Sequence, residues 1–231
     1  MNEHIVKSYE DELNTLAAEC ARLGGLAEAQ LADAIQTVVR REPELADRVI
    51  RQDDRLDEIE ADIEQKAIRL IALRQPMAND LRKTVAALKI ASNLERCGDL
   101  AKSIAKRGLV LTDVEPMPAL SRSIERMGLL VQARLRAVLD AYASNDAEGA
   151  MEVWRRDQEV DEHYNSLFRE LLTYMMGDAR TITPCAHLLF VAKNLERIGD
   201  HATNIAEIVH YEITGEQVSP ADRPRADDLR A

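Results

Sequence analysis

Asn-Leu-Glu-Arg-Cys-Gly-Asp, at residues 93–99, recurs 101 residues later as Asn-Leu-Glu-Arg-Ile-Gly-Asp, at residues 194–200. A repeat separated by nearly half the chain indicates an internal duplication. Both copies lie in apolar stretches with a helical period, so we predict that each copy lies on a helix.

Each copy carries two carboxylates four residues apart, Glu95 with Asp99 and Glu196 with Asp200. On a helix, residues at this spacing point the same way from successive turns. Two like charges placed there repel each other. We therefore expect a cation beside each pair.

The composition favours an all-α fold. Aromatic residues make up 3% of the 231 residues, and residues that favour strands are thinly spread, whereas Ala, Leu, Glu, Arg and Asp recur throughout. The duplication divides the chain into halves of roughly 110 residues, and the two together are long enough to bury a core.

The apolar pattern and its breaks predict three helices in each half. They span 3–41, 43–73 and 77–111, then 119–143, 147–176 and 184–213. Pro116 and Pro118 separate the halves. We therefore predict two similar three-helix bundles, 1–112 and 119–213, and a disordered tail, 214–231. Gly24 and Gly25 mark either a kink in the first helix or a close approach by another backbone.

Charge and cysteine usage exclude several classes of protein. The net charge is −11 without a Lys/Arg cluster, which argues against broad contact with nucleic acid or anionic lipid. No signal peptide or apolar run long enough to span a bilayer is present, so we expect a cytoplasmic protein without membrane insertion. Three cysteines without a Cys-x-x-Cys spacing fit a reduced compartment and provide no zinc site.

A second pair of carboxylates precedes each repeated motif, Asp53 with Asp57 and Asp157 with Asp161. Helices joined by a short turn lie antiparallel, so residues equidistant from the turn lie at the same height. In the first half the two pairs differ in height by about 3 Å, at 1.5 Å per residue. Each half is therefore predicted to bring four carboxylates together: Asp53, Asp57, Glu95 and Asp99, then Asp157, Asp161, Glu196 and Asp200.

These eight side chains form the candidate metal site. Hard oxygen ligands at this density suit Mg²⁺, Mn²⁺, Ca²⁺ or iron. The alternative is a solvated acidic face, or pairing with arginines such as Arg82, Arg55 and Arg155. We expect that Arg96 and Arg197 cannot neutralise their own pairs, because adjacent helical positions diverge by about 100°.

The remaining residues of the motif region have weaker interpretations. Ser103 and Asn204 could add neutral oxygen ligands or hydrogen bonds. Gly98 and Gly199 either allow close helix packing or leave room for a metal. We interpret His201 as a surface histidine or one that supports the site. No pair of Glu-x-x-His motifs, phosphate-binding loop or activated nucleophile is legible in the sequence, so a catalytic apparatus is not predicted.

The repeated motif, the aspartate pairs and the stretch Gln-Pro-Met-Ala-Asn-Asp-Leu-Arg at 75–82 together resemble the PhoU family of bacterial phosphate-transport regulators. The resemblance covers about residues 5 to 215. It implies a cytosolic all-α protein of two similar three-helix bundles, usually a homodimer, that is not an enzyme.

The resemblance also implies a function. PhoU-like proteins repress the phosphate-starvation response when phosphate is plentiful, and couple a phosphate ABC transporter to a phosphate-sensing histidine kinase. Some members bind multinuclear metal clusters through motifs that fall here on the eight carboxylates. The candidate ions are divalent or iron ions (Fe, Zn, Mn or Mg).

Two other functions compete with this regulatory one. The clusters could form a two-metal hydrolase or oxidase site, or the chain could be a purely structural helical scaffold. The two copies also differ, because Cys97, Leu100 and Ser103 stand opposite Ile198, His201 and Asn204. These differences leave open an unequal affinity or a different metal at the two sites.

Overall fold

The structure is a computed structural model that describes residues 2–219, with side chains from residue 10 onward. The described chain consists of seven helices and one 3₁₀ turn, and contains no strand: α1 (Asn2–Arg40), α2 (Pro43–Arg74), α3 (Asn79–Leu111), α4 (Pro118–Ser144), α5 (Ala147–Arg155), α6 (Gln158–Gly177), the 3₁₀ turn (Ala179–Thr181) and α7 (Ile182–Thr214). The predicted all-α fold of two similar three-helix bundles is confirmed. From position 220 on, the predicted tail lies outside the described residues.

Residues at the helix ends explain the boundaries. Pro43 begins α2, where its missing N–H would have no helical partner. Asp146 precedes α5 and accepts a hydrogen bond from the Gly149 N–H at 3.0 Å. Gly215 ends α7 with a φ of 78°, a conformation that glycine adopts without strain.

The middle helix predicted for the second half differs from the structure. A single helix was expected over 147–176, but the structure divides it into α5 and α6 at Arg156 and Asp157. The backbone tightens there, since the N–H of Asp157 bonds to the Trp154 carbonyl three residues earlier, at 3.3 Å. Arg134 of α4 donates hydrogen bonds to the carbonyl oxygens of Val153 and Arg156, and these bonds stabilise the break.

The two halves meet along α3 and α7. His201 Nδ1 lies 2.9 Å from Asn93 Oδ1, and the Asn194 amide donates to the Ser103 hydroxyl at 3.0 Å. Rising residue numbers on α3 match falling numbers on α7, so these helices are antiparallel. One apolar core runs through both halves, from Leu16 to Val209. No helix between residues 2 and 219 is both long and apolar enough to cross a membrane.

The glycine pair of α1 does not interrupt the helix. Gly24 is buried, and a Cβ at this position would overlap the Leu139 side chain of α4. Gly25 is exposed, and a Cβ added there would meet no other atom within 4 Å. Of the two predicted alternatives, the structure shows a close approach to Gly24. The approaching group is the Leu139 side chain and not a backbone.

Substitution of these neighbouring glycines should have opposite outcomes. Gly25→Ala should raise the free energy of unfolding by about 0.5–1 kcal/mol, because alanine favours a helix over glycine. Gly24→Ala gains the same propensity but must displace Leu139, and should be at least about 1 kcal/mol less stable than Gly25→Ala. Urea unfolding of both variants measures the difference, and equal stabilities would contradict the close contact.

Glu212 is a buried acid near the end of α7. Its side chain faces Cys20 of α1 and Tyr142 of α4, and its Oε2 atom has no hydrogen-bond partner within the described structure. Burial raises the pKa of Glu212 to about 7, which Lys83 partly opposes. The folded protein therefore favours the neutral form of this carboxyl group.

Glu212 should make stability depend on pH. The unfolded chain releases this proton near the usual pKa of 4.5 and the folded chain near 7, so the free energy of unfolding should fall as pH rises between these values. Glu212→Gln should match the wild type near pH 4.5 and exceed it by about 1–3 kcal/mol at pH 8. Urea unfolding at both pH values tests this.

The exposed Glu216→Gln serves as the control for loss of a carboxylate, and should change stability by less than about 0.5 kcal/mol at either pH. A Glu212→Gln variant that gains no stability at pH 8 would show that Glu212 ionises without cost in the folded chain.

Candidate functional site

The structure brings the four predicted carboxylates of each half close enough to perturb one another. Asp57 on α2 has a raised pKa, first because of burial and then because Asp53 and Asp99 add negative charge. In the second half, Asp200 on α7 experiences the charges of Glu196, Asp157 and Asp161 in the same way. We call these groups the first cluster (Asp53, Asp57, Glu95, Asp99) and the second cluster (Asp157, Asp161, Glu196, Asp200).

Each cluster contains a carboxyl group whose pKa is raised above its usual value. Burial raises the pKa of Glu95 to about 6, Arg96 opposes the increase, and Asp99 and Asp57 add to it. Burial and the charge of Glu196 likewise raise the pKa of Asp200 to about 6. Both clusters therefore favour an added proton or cation.

The first cluster is partly neutralised by protein side chains. Asp53 is 1% exposed, and it accepts hydrogen bonds from the Gln30 amide at 3.2 Å and from the Lys102 ammonium. Arg96 lies 3.4 Å from Glu95 and 3.3 Å from Asp99. The expectation that Arg96 cannot neutralise its own pair is wrong, because its long guanidinium side chain comes within ion-pair distance of both carboxylates.

The second cluster uses different residues. Asp157 precedes α6 and accepts a hydrogen bond from the Thr203 hydroxyl at 2.6 Å, while the guanidinium of Arg134 lies 3.6 Å away. Lys193 contacts Glu196 at 2.6 Å. The other Glu196 oxygen, Oε2, is buried without a hydrogen-bond partner in the described part of the chain.

The arginines proposed as alternative partners of the clusters bind elsewhere. Arg55 pairs with Glu58 at 2.6 Å, and Arg155 pairs with Glu148 at 2.6 Å. Arg82 donates to the Asn79 side chain and to a backbone carbonyl of α7. That part of the alternative is wrong. Other cations contact the clusters, and none of them was predicted for this role: Lys102, Arg134, Lys193 and Arg96.

The supporting residues pack more tightly than the sequence alone indicated. A Cβ at Gly98 would lie 2.5 Å from Leu56, and one at Gly199 would lie 3.3 Å from Val160, so both glycines allow close helix packing. His201 is half-buried between α3 and α7 and is not a surface residue. The Ser103 hydroxyl accepts a hydrogen bond from Asn194.

The clusters offer the right atoms for a metal but not a finished cage. Carboxylate oxygens are the donors that hard cations prefer, and burial followed by like charge disfavours the ionised forms of Glu95 and Asp200. Among the residues that the structure describes, however, no three His, Cys, Asp or Glu side chains lie close enough to hold one ion. Binding would therefore require side-chain rotation within each cluster.

Fold and site together define a class, that of duplicated helical bundles with one acidic cluster in each half. The family model described as "PhoU domain" matches residues 20–108 and again residues 124–209. The chain therefore belongs to the PhoU family.

Relatives match the chain along nearly its whole length. A protein of Caulobacter vibrioides (strain NA1000 / CB15N), named phosphate-specific transport system accessory protein PhoU homolog, is 64% identical over 229 residues, covering 99% of each chain. The accessory protein PhoU of Escherichia coli (strain K12) is 36% identical, covering 100% of this chain and 95% of its own.

Solved structures agree with the fold. The crystal structure of PhoU from Pseudomonas aeruginosa superposes with a TM-score of 0.87 at 36% identity, and covers 90% of this chain and 100% of its own. The phosphate transport system regulatory protein PhoU from Streptococcus pneumoniae superposes with a TM-score of 0.84 at 29% identity, covering 91% and 99%.

Repulsion within the first cluster can be measured directly. Asp99→Asn removes a negative charge beside Glu95, so the pKa of Glu95 should fall from about 6 towards its usual 4.5. It should not reach 4.5, because burial is the larger cause of the shift. An NMR titration of the Glu95 carboxyl carbon measures this. Asp200→Asn, in the second cluster, is the control and should leave Glu95 unchanged. A pKa that does not respond to Asp99→Asn would refute the predicted coupling.

Proposed function

We propose that this protein is an accessory and regulatory protein of phosphate-specific transport that acts in the cytoplasm and catalyses no reaction. The observation that carries the proposal is the similarity to a relative of that name along 99% of both chains. The protein represses the phosphate-starvation response when phosphate is plentiful. It does so as an adaptor between a phosphate ABC transporter and a phosphate-sensing histidine kinase, and it acts as a homodimer.

The distribution of exposed apolar side chains supports an adaptor with two contact surfaces. Leu73 and Met77, around the α2–α3 turn, are 68% and 81% exposed, and Met176 and Ile182, around the α6–α7 turn, are 88% and 48% exposed. Because α3 and α7 are antiparallel, these turns lie at opposite ends of the molecule, roughly 40–50 Å apart at 1.5 Å per residue. Exposed apolar groups of this kind are common at protein interfaces.

Metal ions are the second part of the proposal. The eight carboxylates of the two clusters bind divalent or iron ions, with Fe, Zn, Mn and Mg as candidates. Bound ions would supply positive charge to groups that repel one another, such as Glu95 and Asp99. The buried, unpaired Oε2 of Glu196 supports this, because an ion would give it a partner.

Deletion of the gene tests the regulatory role. In phosphate-rich medium, loss of a repressor should raise the activity of a phosphate-starvation promoter, and a plasmid copy of the wild type should restore repression. A promoter that stays silent in the deletion strain would contradict the proposal.

The deletion strain also tests whether the α2–α3 turn and the α6–α7 turn are contact surfaces. Plasmids carrying Leu73→Ser/Met77→Ser or Met176→Ser/Ile182→Ser should each fail to restore repression, because each removes apolar contact area for one partner without disturbing the core. Leu129→Ser is the matched control, since Leu129 is 54% exposed on α4 and outside both turns. Full repression by both end variants would show that the turns are not contact surfaces.

A further inference from the structure

The buried aspartates of the two clusters are held in the same way by the first helix of each half. In the first half, the Gln30 amide donates to the Val49 carbonyl at 3.1 Å and to Asp53 at 3.2 Å. In the second half, Arg134 donates to the Val153 carbonyl at 2.9 Å and lies 3.6 Å from Asp157.

The duplication makes these residues counterparts. Gln30 and Arg134 each contact the carbonyl of the valine that follows 19 residues later. Asp157 stands the same 104 positions after Asp53 as Arg134 stands after Gln30. A neutral amide therefore occupies the position in the first half that a guanidinium occupies in the second.

A residue on the last helix of each half also contacts the buried aspartate, and here the cation is in the first half. The Lys102 ammonium on α3 contacts Asp53, whereas the Thr203 hydroxyl on α7 donates to Asp157 at 2.6 Å. Lys102 and Thr203 are 101 positions apart, as are the two copies of the repeated motif. Here the first half carries the cation and the second half carries the neutral group.

We infer that the duplicated halves have exchanged the position of one cation, so that Asp53 and Asp157 each contact a protein cation and serve as positioning residues between helices. A buried carboxylate without a cation is costly, and so is a second buried cation without an acid. The combinations Gln30 with Lys102 and Arg134 with Thr203 each supply one positive charge and one neutral hydrogen-bond donor.

This inference is independent of the proposed metal binding, because it concerns contacts among protein side chains. The Arg134 side chain is 6% exposed and also bonds to backbone carbonyls, so it is fixed beside Asp157. Asp53 is buried against Lys102 and Gln30. Each of the two aspartates is therefore held between helices by side chains of the protein.

Exchange of the cation in the second half tests the inference. Arg134→Gln should lower the Tm by about 5–10 °C, because it removes the buried guanidinium beside Asp157. Adding Thr203→Lys, which copies the first half, should recover more than half of that loss. The control is Lys193→Met, which removes a cation that is 47% exposed and should shift the Tm by less than about 2 °C.

The first half provides a second cycle in case the arginine variant does not fold. Lys102→Thr alone should lower the Tm, and Lys102→Thr/Gln30→Arg, which copies the second half, should recover part of the loss. An unchanged Tm in Lys102→Thr would refute the exchange. The exchange is also refuted if, in both halves, the Tm of the double variant is no higher than the Tm changes of its two single variants add up to.

Discussion

The antiparallel contact between α3 and α7 determines how the rest of the molecule is arranged. Both helices carry a copy of the repeated motif, and Asn93, Ser103, Asn194 and His201 form hydrogen bonds between them. Because the two helices are counterparts, this contact relates the halves by an approximate twofold axis. In addition, α3 packs against α1 and α2, and α7 packs against α4, α5 and α6. One carboxylate cluster lies where α2 meets α3 and the other where α6 meets α7.

Within each cluster, burial and repulsion act in the same direction. Both raise the pKa of Glu95 and of Asp200 to about 6, although Arg96 and Lys193 lie nearby. The protein thus neutralises the deepest aspartate of each cluster with its own side chains and leaves the outer carboxylates with too little positive charge. Carboxyl groups in this environment favour an added proton or cation.

The parts of the structure that depend on regular helix geometry could be predicted from the sequence. The helix boundaries follow from proline, glycine and apolar spacing, and the closeness of the Asp53 pair to the Glu95 pair follows from equal distances to a turn. The family resemblance, carried by the repeated motif, is confirmed by the two matched PhoU domains. These inferences need only local sequence and a fixed rise per residue.

The contacts of long side chains could not be predicted in this way. Arg134 reaches from α4 to the end of α5, and its bonds to two carbonyls explain a helix break that no residue at the break itself indicates. Arg96 contacts both Glu95 and Asp99, although its position on the helix did not suggest these contacts. One signal was available in the sequence, since an alignment of the two halves places Gln30 opposite Arg134 and Lys102 opposite Thr203.

The direction of α3 also fixes where the described chain enters and leaves the bundle. In the first third of α1, Glu12 accepts a hydrogen bond from Arg74 at the end of α2, at 2.6 Å. Gly215 at the end of α7 lies against the Arg82 guanidinium. Both ends therefore meet beside the α2–α3 turn. A protein that binds at the α2–α3 turn would therefore lie beside both ends of the described chain, whereas one that binds at the α6–α7 turn would lie far from both.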